Sequence, residues 1–351
     1  MMFDATVLIT AIGGSGHGEQ ILKAAKLAKS LKLRIVGCDL RPNAHQFSLV
    51  DERVQLPPAN HVEYMDALIA ACLKFDVQAV FHGSEPEMLK ISRERNQLTK
   101  HGIVPIMNSH EVISICSDKL QASEFLSLHG FRPPRYQVLK GSEDFSKIDF
   151  FPVVVKPYKS SGGSAHVYIA QNLHELESLQ QYLRAFTDLG LLVQEYVGTD
   201  ETEFTVGVLQ SLEGKFVSGV ALKRNLKGSL SVRTRVPNLT TRKELGDSLV
   251  ISSGVSQGVI DNYEDLVRTC SSVASALDSR ASINFQCRVD EKGVRIFEIN
   301  PRLSGTTSLR AIQGYNEVEY LVETEVLKRR DVDPPQAQFG EIERGLMEFQ
   351  V

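Results

Sequence analysis

The sequence has no tryptophan and only five cysteines, at positions 38, 72, 116, 270 and 287. An odd, scattered set without a Cys-x-x-Cys pair argues against a disulfide framework or a structural zinc site and predicts buried thiols. No apolar run is long enough to cross a bilayer. The short run from Ala5 to Ile12 follows Asp4 rather than a basic segment, so no signal peptide is expected and the chain is assigned to the cytoplasm. An excess of one charge is missing too: 39 basic against 43 acidic residues leave a net charge of −4 with no long like-charge run. That balance argues against bulk attraction to nucleic acid or an anionic membrane, and partners are expected in a pocket. The phosphate-loop pattern G-x-x-x-x-G-K-[ST] is absent, and so is a Ser-His-Asp order. What remains is an ordinary globular composition, 42% hydrophobic and 23% charged, on a chain of 351 residues, enough for two or three packed units.

The stretch with the most chemistry runs from Ile283 to Arg302. Phe285, Cys287 and Val289 alternate before a break, and Phe297 and Ile299 after it, which predicts two half-buried strands. A three-residue loop between Asp290 and Val294, with Gly293 in a left-handed conformation, would join them. Asp290 then faces Val294, Gln286 faces Glu298 and Asn284 faces Asn300. Phe285, Cys287 and Val289 share the other face with Ile299, Phe297 and Arg295. Gln286, Glu298 and Asn300 supply the hard oxygens that magnesium takes alongside water and substrate phosphate. A solvated polar face would show the same alternation, so the other stretches decide.

In chain order, Thr6–Ile12, a helix to about Leu31 and Arg34–Cys38 form a βαβ unit. The glycines at 13, 14, 16 and 18 miss G-x-G-x-x-G because position 19 is Glu, so no dinucleotide is expected. They suit either a tight strand-to-helix turn or an anion site. Strand, helix and strand follow at 54–56, 64–74 and 79–81, predicting a small doubly wound sheet with Ser84 and Glu85 beyond its carboxyl edge. Glu85 there either holds a substrate ammonium or complements a helix dipole. The character changes at Ser117, where a domain boundary is placed. A buried strand ends in Lys156 and leads into the loop Ser160-Ser161-Gly162-Gly163-Ser164, which suits either a phosphate cover or an ordinary hairpin loop. Leu191–Val197 reads as a strand and hinge whose backbone can meet an adenine edge, and Glu203 on the next strand can accept from ribose hydroxyls.

The order Lys119, Lys156, glycine loop, Gln194-Glu195-Tyr196, Glu203, Gln286 and Glu298-Ile299-Asn300-Pro301-Arg302 resembles the ATP-grasp superfamily over nearly the whole chain, and within it the carbamoyl phosphate synthetase-like branch. The resemblance implies an α/β and α+β protein: a Rossmann-like preATP-grasp domain at 1–116, then a two-subdomain ATP-grasp fold. Its N-terminal subdomain would cover 117–197 with the glycine-rich lid, and its C-terminal subdomain 198–351 with the metal hairpin. It implies ATP and magnesium or manganese as cofactors. Lys119, Lys156, Ser161, Gly162 and Gly163 would meet phosphates; Glu195, Tyr196 and Val197 would line the adenine site. Glu203 would bind ribose, Gln286, Glu298 and Asn300 would hold two metal ions, and Arg302 with Lys156 would act in catalysis. A further basic residue would be Lys223 or Arg224. Gln286 departs from the acid common at its position but matches the amide of the named branch. Only one half of a synthetase large chain is present, which argues against carbamoyl phosphate synthesis itself. The segment from Lys227 to Ile260 matches no motif and is left to the acceptor pocket. The implied activity is a carboxylate-amine ligase that forms an acyl phosphate, releases ADP and acts on small molecules, with a homodimer as the family habit. Activation of a one-carbon acid and a nucleotide-binding protein without turnover are the alternatives.

Overall fold

The computed structural model describes residues 3–14, 16–139, 145–159, 166–185 and 190–346. Five parallel strands form the first sheet: β1 (Ala5–Ile9), β2 (Leu33–Asp39), β3 (Glu52–Gln55), β4 (Ala79–Phe81) and β5 (Val104–Pro105), in the order β3-β2-β1-β4-β5. The order reverses between β1 and β4, so the carboxyl ends of those strands open the crevice where doubly wound sheets take ligands. The strand ends approach closely there, since a Cβ on Gly83 would lie 1.8 Å from the Thr10 carbonyl oxygen. Asp39, closing β2, accepts from the amides of Gly13 at 2.7 Å and Arg41 at 2.9 Å. The acid that a dinucleotide fold aims at a ribose is engaged here in holding the glycine turn.

A second sheet contains β6 (Tyr136–Leu139), β7 (Val153–Pro157), β8 (Tyr168–Ala170) and β9 (Leu191–Glu195), antiparallel in the order β6-β9-β7-β8. The connection from β7 to β8 contains Ser161, Gly162 and Gly163, which lie outside the described residues. The third sheet is built from β10 (Glu203–Gln210) and β11 (Phe216–Arg224), with β12 (Val232–Pro237) and β13 (Ser248–Ser252) leaving it as a separate pair. β14 (Gly258–Ile260), β15 (Ser282–Asp290), β16 (Gly293–Asn300) and β17 (Gly340–Ile342) complete it, in the order β16-β15-β10-β11-β14-β17. The unassigned segment 227–260 is therefore largely the β12–β13 pair.

The hairpin β15–β16 keeps one half of its expected register and corrects the other. Asn284 pairs with Asn300 and Gln286 with Glu298, as the alternation requires. At the closed end Asp290 pairs with Gly293, not Val294, so Glu291 and Lys292 make a two-residue turn, with Gly293 at φ +100. A register shift between Gln286 and Cys287 reconciles the two ends, because β16 carries one extra residue there. Cys287 therefore faces Ile296 and Val289 faces Val294. Phe297 leaves the apolar face for a cleft, and Arg295 pairs with Arg288.

The apolar face of the third sheet, with Val206, Val208, Phe285, Cys287, Ile296 and Ile299, packs on Leu266, Cys270 and Val273 of the helix Glu264–Ala276. A separate core joins Ile9, Ile21 and Leu22 of the first unit to Leu222, Leu309 and Val318 of the last. The two ends of the chain thus share a hydrophobic interior, which fixes the first sheet against the third. All five cysteines are buried and free.

Candidate active site

Two adjoining clefts meet at the polar face of β15–β16. The larger, about 750 Å³, is lined by Lys119, Lys156, Glu195, Tyr196, Val197, Glu203, Gln286 and Glu298 among others. The second, about 550 Å³, shares Lys119 and Glu298 and adds Glu85, Asn300 and Arg302. Apart from Lys223 and Arg224, which line neither, every described residue of the expected nucleotide and metal set lines one of them, while Ser161, Gly162 and Gly163 fall outside the described residues.

Strand alternation explains how the lysines arrive. Lys156 shares the cleft face of β7 with Val154, whereas Val153 and Val155 turn into the core. Lys119 opens the helix Lys119–Leu128, whose cap Asp118 accepts from the amides of Leu120 at 3.0 Å and Gln121 at 3.2 Å. The Lys119 amide in turn donates to the Tyr158 carbonyl at 2.9 Å, tying the helix start to the end of β7. Lys156 is only 5% exposed. Burial and the neighbouring Lys119 charge lower its pKa to about 8, against the opposing pull of Glu298.

The same period of two builds a charged row across three strands. Glu203 on β10 sits directly opposite Arg288 on β15, and Arg288 opposite Arg295 on β16. Arg288 donates from Nε at 2.9 Å to one Glu203 oxygen, and Arg224 donates from Nη1 at 3.1 Å to the other. Burial pushes the Glu203 carboxyl up, but Arg288 and Arg224 outweigh it and leave its pKa below the ordinary value. Arg224 also donates to Ser252 Oγ and to the carbonyls of Ser253 and Val255. Of the two basic candidates on β11, Arg224 is the one facing Glu203, and Lys223 points to the opposite face.

Glu195 is held in the same manner, by Arg242 at 3.2 Å and Arg295 at 3.4 Å. Tyr196 stacks under the Arg288 guanidinium, 4.6 Å from its ring centre, and its hydroxyl accepts from the Val250 amide at 2.7 Å. Val250, Ile251 and Ser252 therefore roof the larger cleft, at its Glu195 end. The segment left to the acceptor pocket thus borders the larger cleft. Arg242 and Ser252 belong to the segment left to the acceptor pocket, but here Arg242 holds Glu195 and Ser252 lines the larger cleft; Arg288 and Arg295 were missed by sequence reasoning, and the period of two alone points from Gln286 to Arg288.

Glu298 is partly exposed and has no hydrogen-bonded cation among the described residues. Asn300 accepts from Arg302 Nη2 at 3.1 Å, and Arg302 also reaches Glu85 at 3.4 Å and the Leu303 carbonyl at 3.2 Å. Among the described residues there is no group of three or more His, Cys, Asp or Glu that could hold a metal. A cation here would be held by one carboxylate and two amides, and that donor set fits magnesium sharing substrate phosphate rather than an all-protein cage.

Three family models match successive parts of the chain. They are the PylC-like N-terminal domain at 7–106, the RimK-like ATP-grasp domain at 116–225 and the "ATP-grasp in the biosynthetic pathway with Ter operon" at 188–343. The carbamoyl-phosphate synthase of Methanobrevibacter smithii is 24% identical over 259 residues, covering 72% of this chain and 65% of that protein. The carbamoyl phosphate synthase large chain of Thermoplasma volcanium is 26% identical over 273 residues, 74% of this chain but 24% of that one. The chain thus spans about two thirds of the first and a quarter of the second. Among solved structures, the L-amino acid ligase of Bacillus licheniformis has the same fold, with a TM-score of 0.63 at 16% identity over 96% of this chain and 76% of that one. No helix among the described residues is long and apolar enough to cross a membrane.

Proposed function

Because the chain belongs to the ATP-grasp superfamily, we propose that it is an ADP-forming carboxylate-amine ligase acting on small molecules, in the cytoplasm and as a homodimer. Its working parts would be a substrate-facing unit at 1–116, a phosphate-covering unit at 117–197 and a metal-holding unit at 198–351. The observation that carries this reading is the convergence of Lys119 and Lys156 with Gln286 and Glu298 in one cleft. Adenine would lie against Glu195, Tyr196 and Val197. Glu203 would accept ribose hydroxyls with lone pairs its arginines leave over. Lys119, Lys156 and the amides of Ser161, Gly162 and Gly163 would meet the phosphates, and Gln286, Glu298 and Asn300 would ligate magnesium. The metal, when bound, would neutralise charge on the β and γ phosphates. Lys156 would hold its ammonium toward the transferring phosphoryl oxygens in a site closed to water, and Arg302 would steady the acyl phosphate formed on the substrate carboxylate. An amine then displaces phosphate, with no protein nucleophile required.

The test is product identity. Carboxylate-dependent formation of ADP and phosphate, with hydroxylamine trapping a hydroxamate, is expected; AMP and pyrophosphate would overturn the reading. A second reading, activation of a one-carbon acid, draws on the carbamoyl phosphate synthases among the relatives. It predicts that bicarbonate alone elicits ADP.

A further inference from the structure

Behind the metal hairpin lies a charge pair that the nucleotide and metal residues do not use. The period of two sets one face of the third sheet in rows that the register fixes: Glu203, Arg288 and Arg295; then Thr205, Gln286 and Glu298; then Gly207, Asn284 and Asn300. The chain leaving Asn300 turns back over this face in a short helix, Thr307–Ile312, whose Arg310 is 0% exposed. A Cβ on Gly207 would collide with the Arg310 guanidinium, so the glycine is what lets that group lie against the sheet. Arg310 Nη2 donates to Asn284 Oδ1 at 2.6 Å, and Nη1 reaches Glu317, also 0% exposed, at 3.4 Å. Glu317 in turn accepts from Ser282 Oγ at 2.6 Å, on the same strand as Asn284.

A fully buried ion pair is a poor source of stability, because desolvating both charges costs about as much as their attraction contributes. This one is also incomplete, since Arg310 Nε has no hydrogen-bond partner among the described residues. What the pair does supply is orientation. Asn284 Oδ1 accepts from Thr205 Oγ1 at 3.0 Å as well as from Arg310, so both lone pairs of that oxygen are taken. Asn300, directly opposite, has one oxygen lone pair engaged by Arg302 and a second for a cation. The network thus makes Asn300, not Asn284, the amide that a metal can use. We propose that Arg310 is a positioning residue for the metal site: acting through Asn284, with Glu317 balancing its charge, it holds the Asn300 row of the hairpin in fixed geometry beside Gln286 and Glu298. This rests on reading Gln286, Glu298 and Asn300 as metal ligands and adds to it the pair that orients them.

The experiment uses the intact chain with ADP and reads manganese binding directly, by electron paramagnetic resonance of the free ion, alongside chemical denaturation. Arg310→Met alone leaves the Glu317 charge buried and unpaired, so the informative variant is Arg310→Met/Glu317→Gln, which removes both charges and keeps an acceptor for Ser282. That variant should unfold near the wild-type midpoint and bind ADP without metal as the wild type does, yet hold manganese about tenfold or more weakly, as loss of a residue behind a metal ligand commonly does. Asn284→Ala should weaken manganese binding by a similar factor, and combining it with the double variant should bring no further loss, since both act through one amide. Arg310→Lys, which keeps Glu317 paired but lacks the planar fork, should fall between wild type and the double variant. Wild-type manganese affinity in the double variant, or losses that add, would overturn the positioning role. Should the double variant not fold, wild-type affinity in Asn284→Ala and Arg310→Lys would overturn it by the same measurement. Manganese lost from Glu298→Gln but kept by the Arg310 variants would sink this role alone, whereas no manganese binding by the wild type would sink the metal reading and this role with it.

Discussion

Glu203 and Glu298 line the same cleft on neighbouring strands and are in opposite circumstances. Glu203 is 1% exposed, and both its oxygens are taken by the guanidinium groups of Arg224 and Arg288. Glu298 faces the lysines through space and pairs by backbone register with Gln286. A carboxylate neutralised by fixed arginines organises the walls around it, because its charge is already balanced at close range. A carboxylate left beside amides and a lysine whose pKa burial lowers to about 8 is the one that can accept an external cation.

That contrast is broken most sharply at Glu298. Glu298→Gln keeps the shape and removes the charge a metal needs, so ADP formation should fall about a thousandfold or more while the thermal midpoint stays near that of the wild type. Retained turnover measured by ADP release would remove Glu298 from the metal site. Glu203→Ala should do the reverse and act on the fold, since it leaves two arginines buried without their counter-charge. Loss of one partner from such a cluster commonly costs about 3–5 kcal/mol, readable by chemical denaturation. Lys156→Ala should cost about 3 kcal/mol in the transition state, seen as a fall in kcat/KM for ATP with little loss of stability.

The lysine also makes a pH prediction. Its pKa is lowered to about 8, and only the protonated form attracts phosphate, so the KM for ATP should rise as pH climbs through about 8. Lys156→Arg keeps its charge throughout that range and should remove the inflection. An unchanged profile in that variant would assign the inflection to another group.

The open end of the hairpin was legible in the sequence because a period of two, once anchored on Gln286 and Glu298, decides every face above it. The closed end was not. A two-residue turn combined with a bulge gives the same pairing at the open end as a three-residue loop without one, and nothing in the residues from Asp290 to Val294 separates these two solutions. Choosing the simpler one sent Phe297 into the core and Arg295 onto the apolar face, and so hid Arg295 as a partner of Glu195. The roof formed by Val250 to Ser252 was illegible for another reason. It depends on Tyr196 meeting Val250 across 54 positions, a contact with no local pattern behind it.

That contact yields the smallest and most discriminating effect. The Tyr196 hydroxyl accepts from the Val250 amide and donates to its carbonyl, at 2.7 Å and 3.3 Å, and so pins β13 to the end of β9 alongside Arg288, which donates to the carbonyls of Val197 and Val250. Tyr196→Phe keeps the ring beneath Arg288 but leaves the Val250 amide buried without a partner, a cost of about 1–3 kcal/mol. Glu203 remains balanced by its arginines in this variant, and Glu298 is untouched. If the arginine-held region shapes only the nucleotide end of the cleft, the KM for ATP should rise severalfold while kcat is preserved. A fall in kcat instead would mean that the roof reaches the reacting phosphate, and the division of labour between the two glutamates would not hold.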